Sequence, residues 1–119
     1  MRAVQLAREV AAECFDDAEK LVNNDVTKGI AAQLYAAVSS IAANLGEGYS
    51  RSSGKDRARI FEYALGSTRE SMMWYRSSSR VLTAETVRSR LAKLEEIRRL
   101  LLAIIPRERG VLIRPKKPS

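Results

Sequence analysis

The chain contains no histidine and only one cysteine, Cys14. Without histidine, the commonest general base, a frequent metal ligand and the usual activator of nucleophilic side chains are all missing. A lone cysteine can form neither an intramolecular disulfide nor a paired-cysteine metal motif. Its neighbours Val10, Ala11, Phe15 and Ala18 suit a small core residue rather than a reactive thiol. Proline and glycine are also scarce, at three and six residues. No apolar run approaches the roughly 18–20 residues that cross a bilayer. Residues 1–19 lack the basic-then-apolar order of a secretory signal. These absences lead us to expect a cytoplasmic protein that is not an enzyme, with no cofactor, no metal and no membrane partner.

What the sequence has is helix-forming composition and an uneven charge. Its 119 residues suit one domain with a core of its own, and 45 % of them are hydrophobic. Residues 1–50 hold four Lys or Arg against seven Asp or Glu, a net of −3. Residues 51–119 hold seventeen against seven, a net of +10, and the total is +7. A positive field of this kind attracts phosphate backbones or acidic protein surfaces; its bland counterpart is a solvated arginine-rich helix face.

Apolar residues at three- and four-residue spacing predict four helices, over about 3–22, 27–46, 53–80 and 83–105. In the first, Leu6, Val10, Cys14 and Leu21 share a face, while Glu9, Glu13, Asp16, Asp17 and Glu19 take the other side. Asn23, Asn24 and Asp25 supply a turn, and Asp25 or Thr27 is placed to cap the second helix. There Ile30, Leu34, Ala37, Val38, Ile41 and Leu45 form a stripe among many small residues, which points to a central, most buried helix. Gly46 or Gly48 is expected to end it in the left-handed conformation. Ser52 or Ser53 can cap the third helix, with Ser53 and Asp56 spaced as a capping box. Gly66 inside that helix suggests a close backbone crossing. Thr83 can cap the fourth, with Leu82 and Val87 as a hydrophobic staple, and Pro106 is expected to stop it. Residues 106–119 then read as a basic tail or partner-binding strap. Short turns between four helices make an all-α, antiparallel up-down-up-down four-helix bundle.

With the segments placed, Gln33, Ala37, Ser40-Ile41, Asn44, Glu47-Gly48, Arg51 and Ser53 stand in order before Ala64-Leu65-Gly66-Ser67 and Glu70. This pattern, over roughly residues 5–105, resembles the four-helix-bundle family of proteins encoded in intervening sequences of bacterial 23S ribosomal RNA genes. That family is related to the accessory variability proteins of diversity-generating retroelements. The resemblance implies a homo-oligomer, a ring-like pentamer, with a positive surface. Its accessory members bind nucleic acid and a reverse transcriptase.

The candidate binding residues are Arg51, Lys55, Arg57 and Arg59 at the start of the third helix, then Arg69, Arg76 and Arg80 along it. Arg88, Lys93 and Arg99 lie outside the apolar stripe of the fourth. Arginine outnumbers lysine, and its planar fork suits phosphate oxygens, so RNA or DNA is the leading partner. No base-reading motif accompanies these residues, so little sequence specificity is expected. An acidic protein such as a reverse transcriptase is the alternative partner.

Among the aromatic residues, Tyr49 beside Arg51 is the best stacking candidate, with Tyr63 also available, whereas Trp74 and Tyr75 suit packing. Gln33, Asn44 and Glu47 fall on one side of the second helix and are expected to form a structural polar network. Glu47 opposes the helix dipole and needs a compensating group such as Arg51, Arg69 or the amides opening the third helix. Gly46-Glu47-Gly48 follows a helix rather than a strand, which argues against a nucleotide-binding loop. The carboxylate groups Glu9/Glu13, Asp16/Asp17 and Glu95/Glu96 lack the Glu-x-x-His pattern of bundle metal sites. They read instead as an acidic stripe meeting a basic face on a neighbouring subunit.

Overall fold

The structure, a computed structural model, describes residues 1–113. Four helices follow one another, α1 (Arg2–Val22), α2 (Lys28–Tyr49), α3 (Gly54–Ser77) and α4 (Ala84–Ile113). Each packs on its neighbours in sequence, and α4 returns to α1, which closes an up-down four-helix bundle. Leu6, Val10, Cys14 and Leu21 from α1 meet Leu34, Val38, Ile41 and Leu45 from α2 in the core. Phe61, Ala64 and Tyr75 from α3 and Leu94, Ile97 and Leu101 from α4 complete it.

Side-chain caps explain two of the helix starts. Ser53 Oγ accepts from the Asp56 amide at 3.1 Å, and Thr83 Oγ1 accepts from the Thr86 amide at 3.1 Å. Leu82 and Val87 are both buried beside the second of these caps, as the staple requires. Thr27 occupies the N-cap position of α2, but its hydroxyl points backwards and donates to the Leu21 carbonyl at 2.8 Å. Asn24 Oδ1 accepts the Val26 amide instead, at 2.9 Å, and so shapes the turn between α1 and α2.

Four expectations need correction. First, α2 does not stop at a left-handed glycine. It runs through Gly46 and Gly48 to Tyr49, and no described residue has a positive φ. Gly48 is needed for close packing: a Cβ there would lie 2.5 Å from Cε1 of the buried Phe61 on α3. Second, Gly66 faces open space, and the close α2–α3 approach is made by Gly48 and by Ser40, whose hydroxyl bonds Ser67 at 2.6 Å. Third, α2 is not central. It touches α1 and α3 only, and its Ala32, Ala36 and Ala43 are exposed.

Fourth, α4 continues past Pro106 to Ile113. Proline removes one helical hydrogen bond, to the carbonyl four residues earlier. Pro106 and Leu102 both lie on the solvent side, where that carbonyl can turn to water. The extension is tied back to α3 by Arg57–Glu108 at 3.0 Å and Arg109–Glu62 at 2.7 Å. The rest of the expected tail, residues 114–119, lies outside the described residues. No described helix is long and apolar enough to cross a membrane.

Candidate nucleic-acid interface

The basic side chains separate into two groups according to what holds them. The first group is committed to carboxylates within the chain. The α1–α4 contact is the least extensive of the four helix pairings, and ion pairs run along it. Arg2 meets Glu96 at 2.9 Å, Lys93 meets Glu13 at 2.9 Å and Glu9 at 3.4 Å, and Arg90 meets Asp17 at 2.7 Å. The acidic stripe of α1 therefore finds a basic partner on α4 of its own chain, which replaces the expected neighbouring subunit for Glu9, Glu13 and Asp17.

At the inner end of this seam, Asp17 is only 1 % exposed. Its Oδ2 accepts from the Tyr75 hydroxyl at 2.6 Å and from Arg90 Nε at 2.7 Å, and its Oδ1 accepts from the second Arg90 nitrogen at 3.2 Å. A buried carboxylate needs this many donors to offset the loss of water. Burial, followed by the bond to Asp17, pushes the Tyr75 hydroxyl well above its ordinary range, and burial pushes the Cys14 thiol up to about 11. Burial opposes the charge on Arg90, yet the bond to Asp17 and the surrounding carboxylates hold its pKa above the ordinary value. Tyr75 is therefore a core residue.

Two of the sequence-selected binding residues also belong to the committed group. Arg57 is mostly buried between Glu108 at 3.0 Å and the Arg51 carbonyl at 3.0 Å. Arg51 pairs with Glu47 at 2.9 Å, which supplies the compensation that Glu47 needs at the end of α2. Arg59 sits 4.0 Å from Asp56 and 5.9 Å from the Tyr63 ring centre, so it is only loosely held.

The second group is free. Lys55, Arg69 and Arg76 on α3, Arg80 in the turn after it (α3 ends at Ser77, short of the expected residue 80) and Arg88 on α4 are exposed, and no described carboxylate comes within 4.0 Å of them. Arg69 and Arg76, seven residues apart, line a cleft of about 320 Å3 between α3 and α4 with Met72, Glu95 and Arg98. Arg98 grips Glu95 with two nitrogens at 2.8 and 2.7 Å. That bond holds the Glu95 carboxyl below the usual carboxylate range against desolvation, and the charges of Arg98, Arg99 and Arg76 add to the effect.

The remaining candidates are scattered. Tyr49 is half-exposed, its ring set edge-on to Phe61 at 4.9 Å and its hydroxyl directed to the Met1 sulfur. Trp74 donates to Glu70 at 3.2 Å. Gln33, Asn44 and Glu47 do not bond one another: Gln33 is exposed, Asn44 donates to the Ser40 carbonyl at 2.9 Å, and Glu47 serves Arg51. Among the described residues, no three Asp, Glu or Cys side chains converge as metal ligands. Away from the basic side, Phe15, Val22, Ala32 and Tyr35 border an apolar groove of about 380 Å3 between α1 and α2.

Arg98 and Arg90 were not singled out by sequence. Arg90 carried a usable signal, since it lies three residues after Val87 and four before Leu94, on the apolar stripe itself. Asp17 has the same relation to Cys14 and Leu21 on α1. A charge on each of two facing stripes points to a buried pair.

Fold and surface together define a small antiparallel helical bundle with one electrostatically sealed seam and one open basic side. Residues 1–103 match the model of the 23S rRNA-intervening sequence protein family, and the chain belongs to that family. A crystal structure of a protein with unknown function from the S23 ribosomal protein family of Bacteroides thetaiotaomicron VPI-5482 is similar, with 26 % identity and a TM-score of 0.80. The similarity covers 87 % of this chain and 97 % of that one. Comparison with curated proteins finds no match.

Proposed function

We propose that the protein is a non-enzymatic, oligomeric helical bundle that binds nucleic acid, RNA or DNA, through phosphate contacts with little sequence specificity. The observation that carries this reading is the sorting of charge. Arg90, Lys93, Arg57 and Arg2 are paired with carboxylates of the bundle, whereas Lys55, Arg69, Arg76, Arg80 and Arg88 have no carboxylate within 4.0 Å among the described residues. Exposed cations on two adjacent helices and the turn that joins them suit a polyanion, and arginine makes paired bonds to phosphate oxygens. Tyr63, beside Arg59 and about half-exposed, is better placed than Tyr49 to add a stacking surface.

Self-association is supported by the apolar groove and by exposed Phe15, Val22, Val26 and Tyr35 around the α1–α2 end of the bundle. An oligomer would repeat the basic side and raise its effective affinity. The same exposed cations support a second reading, an adaptor whose basic side docks an acidic protein such as a reverse transcriptase.

Fluorescence anisotropy with a labelled structured RNA and a matched DNA duplex, over a salt series, separates the two. Phosphate binding predicts an affinity that falls steeply with salt and changes little when the sequence is scrambled. An adaptor predicts no binding to either nucleic acid even at low salt. Light scattering on the same sample measures subunit number, for which the family resemblance implies five.

A further inference from the structure

We infer that the α3–α4 cleft is a discrete phosphate-binding notch in which Glu95 acts as an internal anion that sets its affinity. This rests on the reading of α3 and α4 as the phosphate-contacting side, and it assigns one site and one control to that side.

The cleft holds more positive charge than negative. Arg69, Arg76 and Arg98 line the cleft with a single carboxylate, Glu95, and Arg99 Nε lies 3.8 Å from that carboxylate. Arg98 already presents its fork, with both nitrogens on the two Glu95 oxygens at 2.8 and 2.7 Å. Carboxylate and phosphate accept that fork in the same way. Glu95 therefore holds Arg98 in the orientation a phosphate would need, and occupies it at the same time.

Among the described residues, no carboxylate oxygen lies within 4.0 Å of the Arg69 or Arg76 guanidinium, although both line the cleft with Glu95. A phosphate group has the additional oxygens and charge to engage all three arginines together. The cleft, at about 320 Å3, has room for one such group, and buried Met72 is the apolar part of its lining. The phosphate can be an internal phosphodiester or a free phosphate; the chemistry is shared.

The test follows arginine Nε–H resonances of the full chain by NMR at constant ionic strength. The probes are inorganic phosphate and a dinucleotide carrying only an internal phosphodiester. Glu95→Gln removes the internal anion and should tighten phosphate binding about fivefold, the scale of an exposed ion pair with a dianion nearby. Arg69→Gln with Arg76→Gln, both exposed and unpaired among the described residues, should abolish it while the helical circular dichroism is unchanged. Stronger dinucleotide binding than phosphate binding would identify a backbone site, and the reverse a free-phosphate site; both outcomes uphold the notch. Unchanged or weaker binding in Glu95→Gln overturns it, as does full binding in the double variant. If Glu95→Gln has no effect while RNA binding persists, the notch fails and the nucleic-acid reading stands. If RNA binding is absent but Glu95→Gln still tightens phosphate, the notch stands alone.

Discussion

The Tyr75 hydroxyl on α3 donates a 2.6 Å hydrogen bond to Asp17 on α1, helices that otherwise face each other only across the bundle centre. Arg90 on α4 completes the junction through the same Asp17 oxygen. Three helices are thereby fixed in register by one buried carboxylate.

Removing that carboxylate leaves Arg90 mostly buried without its main partner. Asp17→Ala should cost about 3–5 kcal/mol of folding stability, the usual result of breaking a buried ion pair from one side. Tyr75→Phe removes one hydrogen bond and should cost about 1–2 kcal/mol. Urea denaturation monitored by circular dichroism measures both. A loss below about 1 kcal/mol for Asp17→Ala would mean that Arg90 finds another partner at once, and the junction would not set the register.

Alkaline pH should destabilise the fold. The buried Cys14 thiol is raised from 9.0 to about 11, and Tyr75 and Lys93 are also raised above their ordinary values. Each gives up its proton more readily when unfolded. Stability should therefore hold from neutrality to about pH 9 and fall as pH climbs through 11. Thermal melts across this window check the direction, and a rising melting temperature would contradict it. Thiol labelling at pH 8 should likewise proceed only as fast as the chain opens.

The two glycines near the end of α2 should respond in opposite ways. Gly48→Ala drives a methyl group into the Phe61 ring and should destabilise by about 1–3 kcal/mol. Gly46→Ala meets nothing within 4 Å and should stabilise by up to about 1 kcal/mol through helix propensity. Chemical denaturation of both variants decides the matter. A neutral Gly48→Ala would show that Phe61 moves aside freely.

The helices, most of the core and two caps were legible in the sequence because apolar spacing and cap residues act locally. Helix ends were less legible. Gly46 and Gly48 satisfy a composition rule for stops, but nothing in their neighbourhood requires a left-handed residue, and the need at Gly48 comes from Phe61 thirteen residues later. Pro106 failed as a stop because its face of α4 is open to solvent. In the basic region, sequence supplied the residues but not their states. Arg57 and Lys93 are spent on Glu108, Glu9 and Glu13, and only tertiary packing brings those carboxylates within reach. Arg69 and Arg76 were identified, while their cleft partner Arg98 belongs to a helix that packs beside them only in the folded chain.

The most direct measurement compares two variants that remove equal charge from opposite sides of the bundle. Arg69, Arg76 and Arg80 are changed to glutamine in one, and Arg8, Lys20 and Lys28 in the other; all six are exposed and, among the described residues, unpaired. Binding to a labelled RNA is then followed across a salt series. The variant changed at Arg69, Arg76 and Arg80 should lose most of its low-salt affinity and flatten the log–log salt slope by about two, the scale of up to three lost phosphate contacts at about 0.7 each. The α1–α2 variant should bind as the parent does. Equal losses in both variants, or no binding by the parent protein at low salt, would contradict a phosphate-binding side on α3 and α4.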